Sequence, residues 1–285
     1  KFSDLIMSRT FVVFCLIIFN CISDIIDYTS WNNVVSTHIK AGNKDGINVN
    51  IIDYESIMND QDFYTFLNII SSVNEDDLTT YFMEKYNYYS LLINVYNAFT
   101  FNMIITNPCY INATGQCSPI ESLWSIGPNV FNINAGIIAG KNYSLNDIEG
   151  MLRDPSKYNN SWNEVPLLHS TIVCGGVSCP NVLTKAYGYP NESNVWNDME
   201  YAMEAFLDNN KKGEYLDTNN NTIYYSKIFD WYQTDFTQFN ETVTQYLLPY
   251  MPNNYQLYIK NNMNSINIEY FTYDWTLNGN PPCNC

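Results

Sequence analysis

The pattern of hydrophobic and polar positions predicts three amphipathic helices separated by shorter elements. The strongest pattern covers residues 76–106, with Asp76 or Asp77 as its candidate cap, and ends before Pro108 because proline cannot continue a helix. Two weaker helical patterns cover residues 31–38 and 196–207. The periodic positions are Trp31, Val34, Val35 and His38 in the first segment, Tyr88, Leu92, Val95, Phe99 and Met103 in the second, and Trp196, Met199, Met203 and Phe206 in the third.

Shorter patterns predict strands, a capped helix and turns between these helices. Ser144 and Asp147 have the spacing of a capping box, which predicts a short helix through Arg153. Other segments predict a strand at 49–54, where Asp53 and Ser56 lead into a helix through Phe66, a β-hairpin at 215–227, one or two helices at 228–250 and a closing strand at 268–277. Neither repeats nor a long linker interrupt the pattern. We therefore expect a single, mostly helical α+β domain with a small sheet, stabilised by disulfides.

An apolar run near the amino terminus is typical of a signal peptide. It covers residues 11–19, which is short for a transmembrane helix, and small residues at its end predict cleavage after Ser23. We expect residues 1–23 to be removed, with Met7 as a candidate start and residues 1–6 upstream of it. An amino-terminal core helix and an uncleaved anchor are the alternatives.

Composition excludes several classes of partner. Hydrophobic residues make up 46% of the 285-residue chain, which is enough for a real core. The net charge is −16 and the 13 lysines and arginines are scattered, so no basic stripe is available for nucleic acid or for anionic membranes. We expect no nucleic-acid partner and no strong membrane association after signal cleavage.

Cysteines and glycosylation motifs favour the secretory pathway. Beyond the signal segment the cysteines are Cys109, Cys117, Cys174, Cys179, Cys283 and Cys285, an even number that an oxidising compartment would pair in one of fifteen ways. Cys109 and Cys117 bracket a turn that a disulfide could close. Cys283 and Cys285 are too near each other for an unstrained bridge, so each is expected to reach another partner, including a second chain.

N-x-S/T motifs add to this picture. They occur at Asn112, Asn142, Asn159, Asn191, Asn220 and Asn240. We expect N-linked glycans at these positions and a protein that is secreted or held at the cell surface. Self-assembly or a disulfide-linked partner is the further possibility that the terminal cysteines raise.

The candidate chemistry lies in residues 168–180. A β-branched strand carries His169 into a Gly-Gly turn, and Pro180 predicts a helix start that would place Cys179 at its N-cap. A helix dipole there favours a thiolate, so Cys179 is a candidate nucleophile and His169 its candidate base. The alternatives are a disulfide involving Cys174 and Cys179, or a metal site that adds His169 but lacks a fourth ligand.

Polar residues elsewhere could orient such a base. Asn94 and Asn97 share one side of the longest predicted helix, and Asp147 and Glu149 lie in the capped helix. The structural alternative is that the two amides bind the backbone of neighbouring loops. Nucleotide-binding, zinc-protease and nucleophile-elbow fingerprints do not occur, so we expect neither a cofactor nor a metal.

Five sequence blocks in order resemble the DUF547 family, a domain of unknown function. The blocks are Ile93-Asn94-Val95-Tyr96-Asn97-Ala98, Leu145 to Glu149 with Leu152-Arg153, His169 with Cys174 and Ser178-Cys179-Pro180, Ser226 to Tyr232 with Asp235-Phe236, and Tyr273-Asp274-Trp275-Thr276-Leu277-Asn278. Leu91-Leu92, Gly150 and Ser170 depart from residues common in the family. The resemblance implies a family fold over residues 80–280 and an extracytoplasmic or membrane-peripheral setting, but no established reaction.

We expect residues 24–79 to extend the domain on its amino-terminal side and residues 281–285 to form a cysteine-containing tail.

The sequence leaves two functions open. We expect a ligand-binding or extracellular structural role ahead of the alternative, a thiol-dependent hydrolase or transferase that uses Cys179 and His169. A thiol at Cys179 near His169 would indicate chemistry, whereas a disulfide at Cys179 would indicate architecture.

Overall fold

Helices dominate the structure and the strands are short. The computed structural model describes residues 26–154, 165–237 and 241–285. The helices are α1 Thr29–His38, α2 Tyr54–Met58, α3 Gln61–Ser72, α4 Glu75–Tyr81, α5 Lys85–Thr106, α6 Leu145–Leu152, α7 Val165–Leu168, α8 Val195–Leu207, α9 Ile228–Trp231, α10 Gln233–Phe236, α11 Val243–Leu247 and α12 Asn253–Asn262. The strands are β1 Ile39–Lys44, β2 Ile47–Ile52, β3 Cys109–Ile111, β4 Cys117–Pro119, β5 Gly136–Ile138, β6 Lys141–Tyr143, β7 Glu214–Asp217, β8 Thr222–Tyr225 and β9 Asn267–Tyr270.

Helix α5 lies at the centre of the fold and is buried on every side. Between Tyr88 and Ile105 only Asn102 is not fully buried. A helix that is apolar all round has no solvent face, so other elements must cover it completely. Helices α2, α3, α6 and α8 all contact it. The site described below is built on this rigid helix.

The predicted helix over 76–106 is two helices. Asn74 caps α4 by accepting a hydrogen bond from the Asp76 N–H, so the predicted cap at Asp76 or Asp77 lies two or three residues too late. The chain then leaves the helical path at Met83, which is exposed, and α5 begins at Lys85. The apolar period is continuous across the break because both helices face the same core.

The strands form four small sheets in the described part of the chain. Three are antiparallel hairpins, β1–β2, β3–β4 and β5–β6. The fourth has the order β7–β8–β9, with β7 antiparallel and β9 parallel to β8. The α+β class is therefore confirmed, but its strands are divided among several sheets where we expected one.

Local sequence signals are confirmed where hydrogen bonds of neighbouring residues decide the structure. Ser144 and Asp147 form the predicted capping box at the start of α6. Asp53 caps α2 by accepting from the Ser56 N–H. The predicted hairpin after Tyr215 is the pair β7–β8. These signals act within a few residues, so packing does not have to supply them.

The disulfides join the carboxyl-terminal tail to the β3–β4 hairpin. Cys109 is bonded to Cys283, and Cys117 is bonded to Cys285. The expected separate partners for the two tail cysteines are therefore confirmed, and both partners are in the same chain. A Cys109–Cys117 bridge does not form. The prediction that Cys174 and Cys179 are paired is also wrong, because both remain thiols.

Some expectations concern residues that lie outside the described ranges. Residues 1–23 and the motifs at Asn159 and Asn240 lie outside the described residues. Of the other motifs, Asn142, Asn191 and Asn220 are exposed and Asn112 is half-buried. Across the described ranges, no helix has both the length and the apolar character needed to cross a bilayer.

Candidate active site

A cavity of about 210 Å³ opens beside the turn that carries the two thiols. Aromatic rings make up half of its lining, which also contains one carboxylate and one histidine. The lining residues are Tyr96, Trp124, Phe131, Asn146, Glu149, His169, Ile172, Cys174, Cys179, Ile228, Trp231, Tyr232, Tyr273 and Trp275. The structure thus brings together three of the candidate residues from the sequence, Cys179, His169 and Glu149.

The backbone of the thiol turn requires glycine. Gly175 has φ +75°, a conformation that other residues rarely adopt. A Cβ there would also lie 3.0 Å from Ile104 Cδ1 and 3.0 Å from Tyr54 Oη, so a larger residue has no room. This turn folds tightly against α5, which carries Ile104.

The segment after β9 clamps the same turn. Val177 N–H donates to Thr276 O at 2.7 Å, and Ser178 N–H donates to Asp274 O at 3.0 Å. In return, Asp274 N–H donates to Ser178 Oγ at 2.9 Å. The predicted closing strand over 268–277 is therefore β9 only as far as Tyr270, and the rest of it binds the cysteine turn as irregular chain.

Two predictions about local structure near the thiols are wrong. No helix begins at Pro180, so Cys179 is not an N-cap; its own N–H donates to Gly176 O within the turn. His169 does not lie on a strand but directly follows helix α7, in a turn. The helix dipole therefore cannot polarise the thiol, and local hydrogen bonds replace it.

Hydrogen-bond donors surround the buried sulfur of Cys179. The Cys174 N–H lies 3.2 Å from Cys179 Sγ and the Tyr273 hydroxyl lies 3.0 Å from it. Burial alone raises the pKa of the Cys179 thiol, but hydrogen bonds from the Cys174 thiol, the Tyr273 hydroxyl and the Cys174 and Gly176 backbone outweigh it and lower that pKa. The hydrogen bond to Cys179, with burial, raises the pKa of the Cys174 thiol. Cys179 is therefore the more acidic thiol of the pair.

A buried lysine supports the turn from behind. Lys212 Nζ donates to Cys179 O at 2.6 Å, to Val177 O at 3.1 Å and to Asn181 Oδ1 at 2.8 Å. Burial lowers the pKa of Lys212 to about 8, and attraction to the cysteines opposes that shift. The ammonium thus fixes the carbonyls of Val177 and Cys179 and adds positive charge near the Cys179 side chain.

His169 is held by a carboxylate that our sequence analysis did not select. His169 Nε2 lies 2.8 Å from Asp235 Oδ2, and the imidazole stacks on Tyr232 with the ring centroids 4.1 Å apart. Arg153 donates to both oxygens of Asp235, at 2.7 and 2.9 Å. Burial raises the pKa of Asp235, but the hydrogen bonds from His169 and Arg153 outweigh it and keep the carboxyl ionised.

Asp235 was visible in the sequence only as part of the fourth family block. It lies on α10, 66 residues after His169, and nothing in its local pattern separates it from other aspartates. Glu149 lies in the cavity but does not contact His169; its carboxylate interacts with Arg153 Nη1 at 3.4 Å and with the Tyr232 hydroxyl. The carboxylate that binds His169 is therefore Asp235, where we expected Glu149 as a candidate.

The two asparagines lie outside the cavity and bind backbone, as the structural alternative expected. Asn94 accepts from Trp31 Nε1 and bonds both the N–H and the C=O of Tyr187. Asn97 donates to Thr171 O at 2.9 Å and accepts from the Val173 N–H at 3.1 Å.

Asn97 thus ties to α5 the short segment that joins His169 to Cys174. Asp147, the remaining candidate, is exposed and caps α6. Neither it nor the asparagines are placed to touch a substrate in the cavity.

A metal site at the thiols gains no support from the ligand geometry. Among the described residues, one group of side chains lies close enough together to hold a metal ion. It consists of Cys109, Cys117, Cys283 and Cys285, and these cysteines are disulfide-bonded. His169 instead directs Nε2 to Asp235. Cys179 and His169 both line the cavity, and Asp235, which is not part of the lining, binds His169.

Comparison with known proteins bears out the resemblance seen in the sequence. The chain matches no curated protein and no solved structure. The match to a family model covers residues 81–207, which include Glu149, His169 and Cys179 but not Asp235 or Tyr273. Over residues 81–207 this chain resembles the family described as "Protein of unknown function, DUF547".

Proposed function

We propose that the protein is a thiol-dependent hydrolase or transferase that acts on an acyl group. Cys179 is the nucleophile, His169 the general acid and base, and Asp235 the residue that orients His169. One observation carries this proposal: an unpaired Cys179 sulfur accepts N–H and O–H hydrogen bonds in the same cavity as a histidine bound to a carboxylate.

The geometry supports the following sequence of bonds. The Cys179 thiolate attacks the carbonyl carbon of an ester, thioester or amide and forms a new S–C bond. The bond to the leaving group breaks, and the His169 imidazolium gives that group its proton. Water or another acceptor then attacks the resulting thioester, His169 takes the acceptor's proton, and Cys179 leaves as the thiolate.

Asp235 supports both halves of this cycle. An ionised carboxylate can only accept, so the Nε2 atom of His169 carries the hydrogen and Nδ1 is the nitrogen that exchanges protons. The same carboxylate stabilises the imidazolium that forms after proton transfer. Arg153 holds that carboxylate in the required plane through two parallel hydrogen bonds.

A purely structural role is less consistent with this environment. A buried thiol that only fills space needs neither charge nor hydrogen bonds, and burial alone would keep it neutral. Here four donors act on one sulfur, and a buried lysine stands behind its turn. A role in ligand binding without catalysis would also not require these hydrogen bonds to the Cys179 sulfur.

We further propose that the protein acts outside the cytoplasm as an N-glycosylated, secreted or cell-surface protein. Two disulfides support an oxidising compartment, and three exposed sequon asparagines are accessible to glycan transfer. Expression in a secreting eukaryotic cell, followed by enzymatic deglycosylation and mass measurement, tests this. An unchanged mass or a purely intracellular product would overturn it.

The catalytic proposal is tested with p-nitrophenyl acetate as a general acyl donor. We expect a burst of p-nitrophenolate and an acetyl adduct that intact-mass and peptide analysis place on Cys179. Cys179→Ala should abolish the burst and the adduct. His169→Gln should slow acylation, and the matched control is His38→Gln, because His38 is the other histidine and also pairs with an aspartate, Asp60.

The decisive comparison is between the two histidine variants. Equal acylation rates in His169→Gln and His38→Gln would overturn the assignment of the base. Acetylation elsewhere, with Cys179 unmodified in the folded protein, would overturn the assignment of the nucleophile. Near-ultraviolet circular dichroism of each variant establishes that the fold is retained.

A further inference from the structure

The mouth of the cavity is an exposed cluster of aromatic rings. It consists of Trp124, Trp231, Tyr273 and Trp275, which we call the aromatic mouth. Trp231 stacks on Trp275 with centroids 5.5 Å apart, Trp124 meets the edge of Trp275 at 5.7 Å, and Tyr273 lies 4.5 Å from Trp275. Three of the six tryptophans of the chain therefore meet at one opening.

Two of these four rings are more exposed than packing in a core requires, and the other two are half-buried. Trp124 is 43% exposed and Trp231 is 46% exposed. Tryptophan buries more apolar surface than most residues, so leaving two of them open to water is unfavourable unless a ligand covers them. The aromatic mouth leads directly to Cys179, because Tyr273 both belongs to it and bonds the Cys179 sulfur.

The charge of the lining points to one kind of ligand. Glu149 is the carboxylate of the lining, and none of the fourteen lining residues is a lysine or an arginine. Arg153 forms one ion pair with Glu149, from Nη1 to Oε1 at 3.4 Å, while its two shorter hydrogen bonds, at 2.7 and 2.9 Å, go to Asp235. Faces of indole rings are also negative, so the rings and the carboxylate both favour a cation.

We propose that the cavity binds substrates through a small organic cation, an alkylammonium or quaternary ammonium group, held by Trp231, Trp275 and Glu149. This inference specifies the substrate class of the proposed hydrolase or transferase site and rests on that proposed function. The carbonyl group to be attacked would then lie beside Cys179. The cavity, at about 210 Å³, exceeds the roughly 150 Å³ cavities that hold a benzene ring, so it has room for such a group.

Binding can be measured without any reaction. We would use Cys179→Ser and compare choline with 3,3-dimethylbutan-1-ol, which has the same shape without the charge. Both give a single nine-proton methyl resonance, so saturation-transfer NMR measures them in the same way. n-Butylammonium, also followed by its methyl resonance, separates a primary amine, as on a lysine side chain, from a quaternary one.

We expect at least one of the two cations to bind about tenfold more tightly than the neutral alcohol. Glu149→Gln and Trp231→Leu should each remove most of that difference. Asp147→Asn and Trp196→Leu are the matched controls, because Asp147 caps α6 and Trp196 lies beneath Lys85, both away from the cavity. The controls should keep the full difference.

The inference would be overturned if the neutral alcohol bound as tightly as both cations. It would also be overturned if Glu149→Gln kept the full preference for cations over the alcohol. The two proposals fail separately. Cation binding to Cys179→Ser with no acylation of the wild-type protein would refute the proposed function. Acylation of Cys179 without a preference for cations would refute the substrate class alone.

Discussion

The Nε2 atom of His169 lies 2.8 Å from the Oδ2 atom of Asp235, and both side chains are buried. A second histidine–aspartate pair exists in the described structure, where His38 Nε2 lies 2.6 Å from Asp60 Oδ2. The cavity beside His38 contains no cysteine in its lining. The same chemical pair therefore occurs once beside a thiol and once without one, and the second pair is an internal control for the first.

Asp235→Asn should slow acylation of Cys179 by about 100-fold or more, because an amide cannot hold His169 in the required tautomer or stabilise its charged form. Single-turnover release of p-nitrophenolate measures the effect. Asp60→Asn makes the same change at the second pair and should leave the rate unchanged. Equal rates for wild type and Asp235→Asn would show that His169 acts without this carboxylate.

Tyr273→Phe should raise the pKa of the Cys179 thiol by about one unit, because it removes a hydrogen bond to the thiolate. The measurement is the rate of iodoacetamide alkylation of Cys179 as a function of pH, read by peptide mass. In wild type the reactive form should persist well below the ordinary thiol pKa of about 8.5. Tyr215→Phe, on the exposed face of β7, should leave the profile in place. A profile that does not move in Tyr273→Phe would exclude this hydrogen bond as a cause of the lowered pKa.

Glu214→Gln should stabilise the protein at alkaline pH. Glu214 is fully buried, neither carboxylate oxygen has a hydrogen-bond partner, and burial raises its pKa from 4.5 to about 8. A pKa that is higher in the folded state favours folding below pH 4.5, and this contribution is lost progressively as the pH rises through 8. Calorimetric melting at pH 4 and pH 9 should therefore show little difference at pH 4 and a higher melting temperature for the variant at pH 9.

The control for Glu214 is Glu200→Gln, since Glu200 is exposed on α8. It should shift the melting temperature little at either pH. A Glu214→Gln variant that is equally destabilised at pH 4 and pH 9 would mean that a buried amide is no better tolerated than the carboxylate, and that burial does not hold Glu214 in its neutral form.

Loss of the two disulfides should be strongly non-additive. Each joins residues 174 or 168 positions apart, and closing the first such loop is worth about 5 kcal/mol in the chain-entropy model. The second then closes only a short loop, worth about 3 kcal/mol. Removing one bridge, as Cys109→Ser with Cys283→Ser, should therefore cost about 3 kcal/mol, whereas removing both should cost about 8 kcal/mol.

Urea unfolding of the two single-bridge variants and the bridge-free variant measures this difference. Similar losses for both single variants, with a double loss larger than their sum, is the expected pattern. A double loss equal to the sum would show that each bridge acts independently on the unfolded chain. These variants leave Cys174 and Cys179 in place, so alkylation of Cys179 reports whether the active-site turn depends on the tail.

Local signals predicted much of the helical structure. Asp53 and the Ser144–Asp147 box start helices by hydrogen bonds to amides three residues away, so the nearest neighbours contain the necessary information. The break at Met83 was missed because the apolar period continues through it. The helix expected after Pro180 was wrong because proline is also favoured in turns, and here the chain 274–278 binds the turn instead.

Candidate site residues were predictable to the extent that rare residue types mark them. Only two histidines occur in the chain, so His169 beside two cysteines stood out. Asp235 did not stand out, because aspartate is common and its partner is 66 residues away. Tyr273 and Lys212 were missed for the same reason, since each reaches Cys179 only after distant segments have packed together.

The sequence by itself determined the positions of most helices, the capped starts of α2 and α6, the β7–β8 hairpin and the choice of Cys179 and His169 as candidates. Tertiary structure alone decided which cysteines pair, which carboxylate binds His169, and that aromatic rings from four distant segments line the cavity beside the thiol. The physical reason is the separation in sequence between the residues that each interaction joins. Helix hydrogen bonds and caps join residues a few positions apart, whereas disulfides, ion pairs and cavities join residues that only the packing around α5 brings into contact.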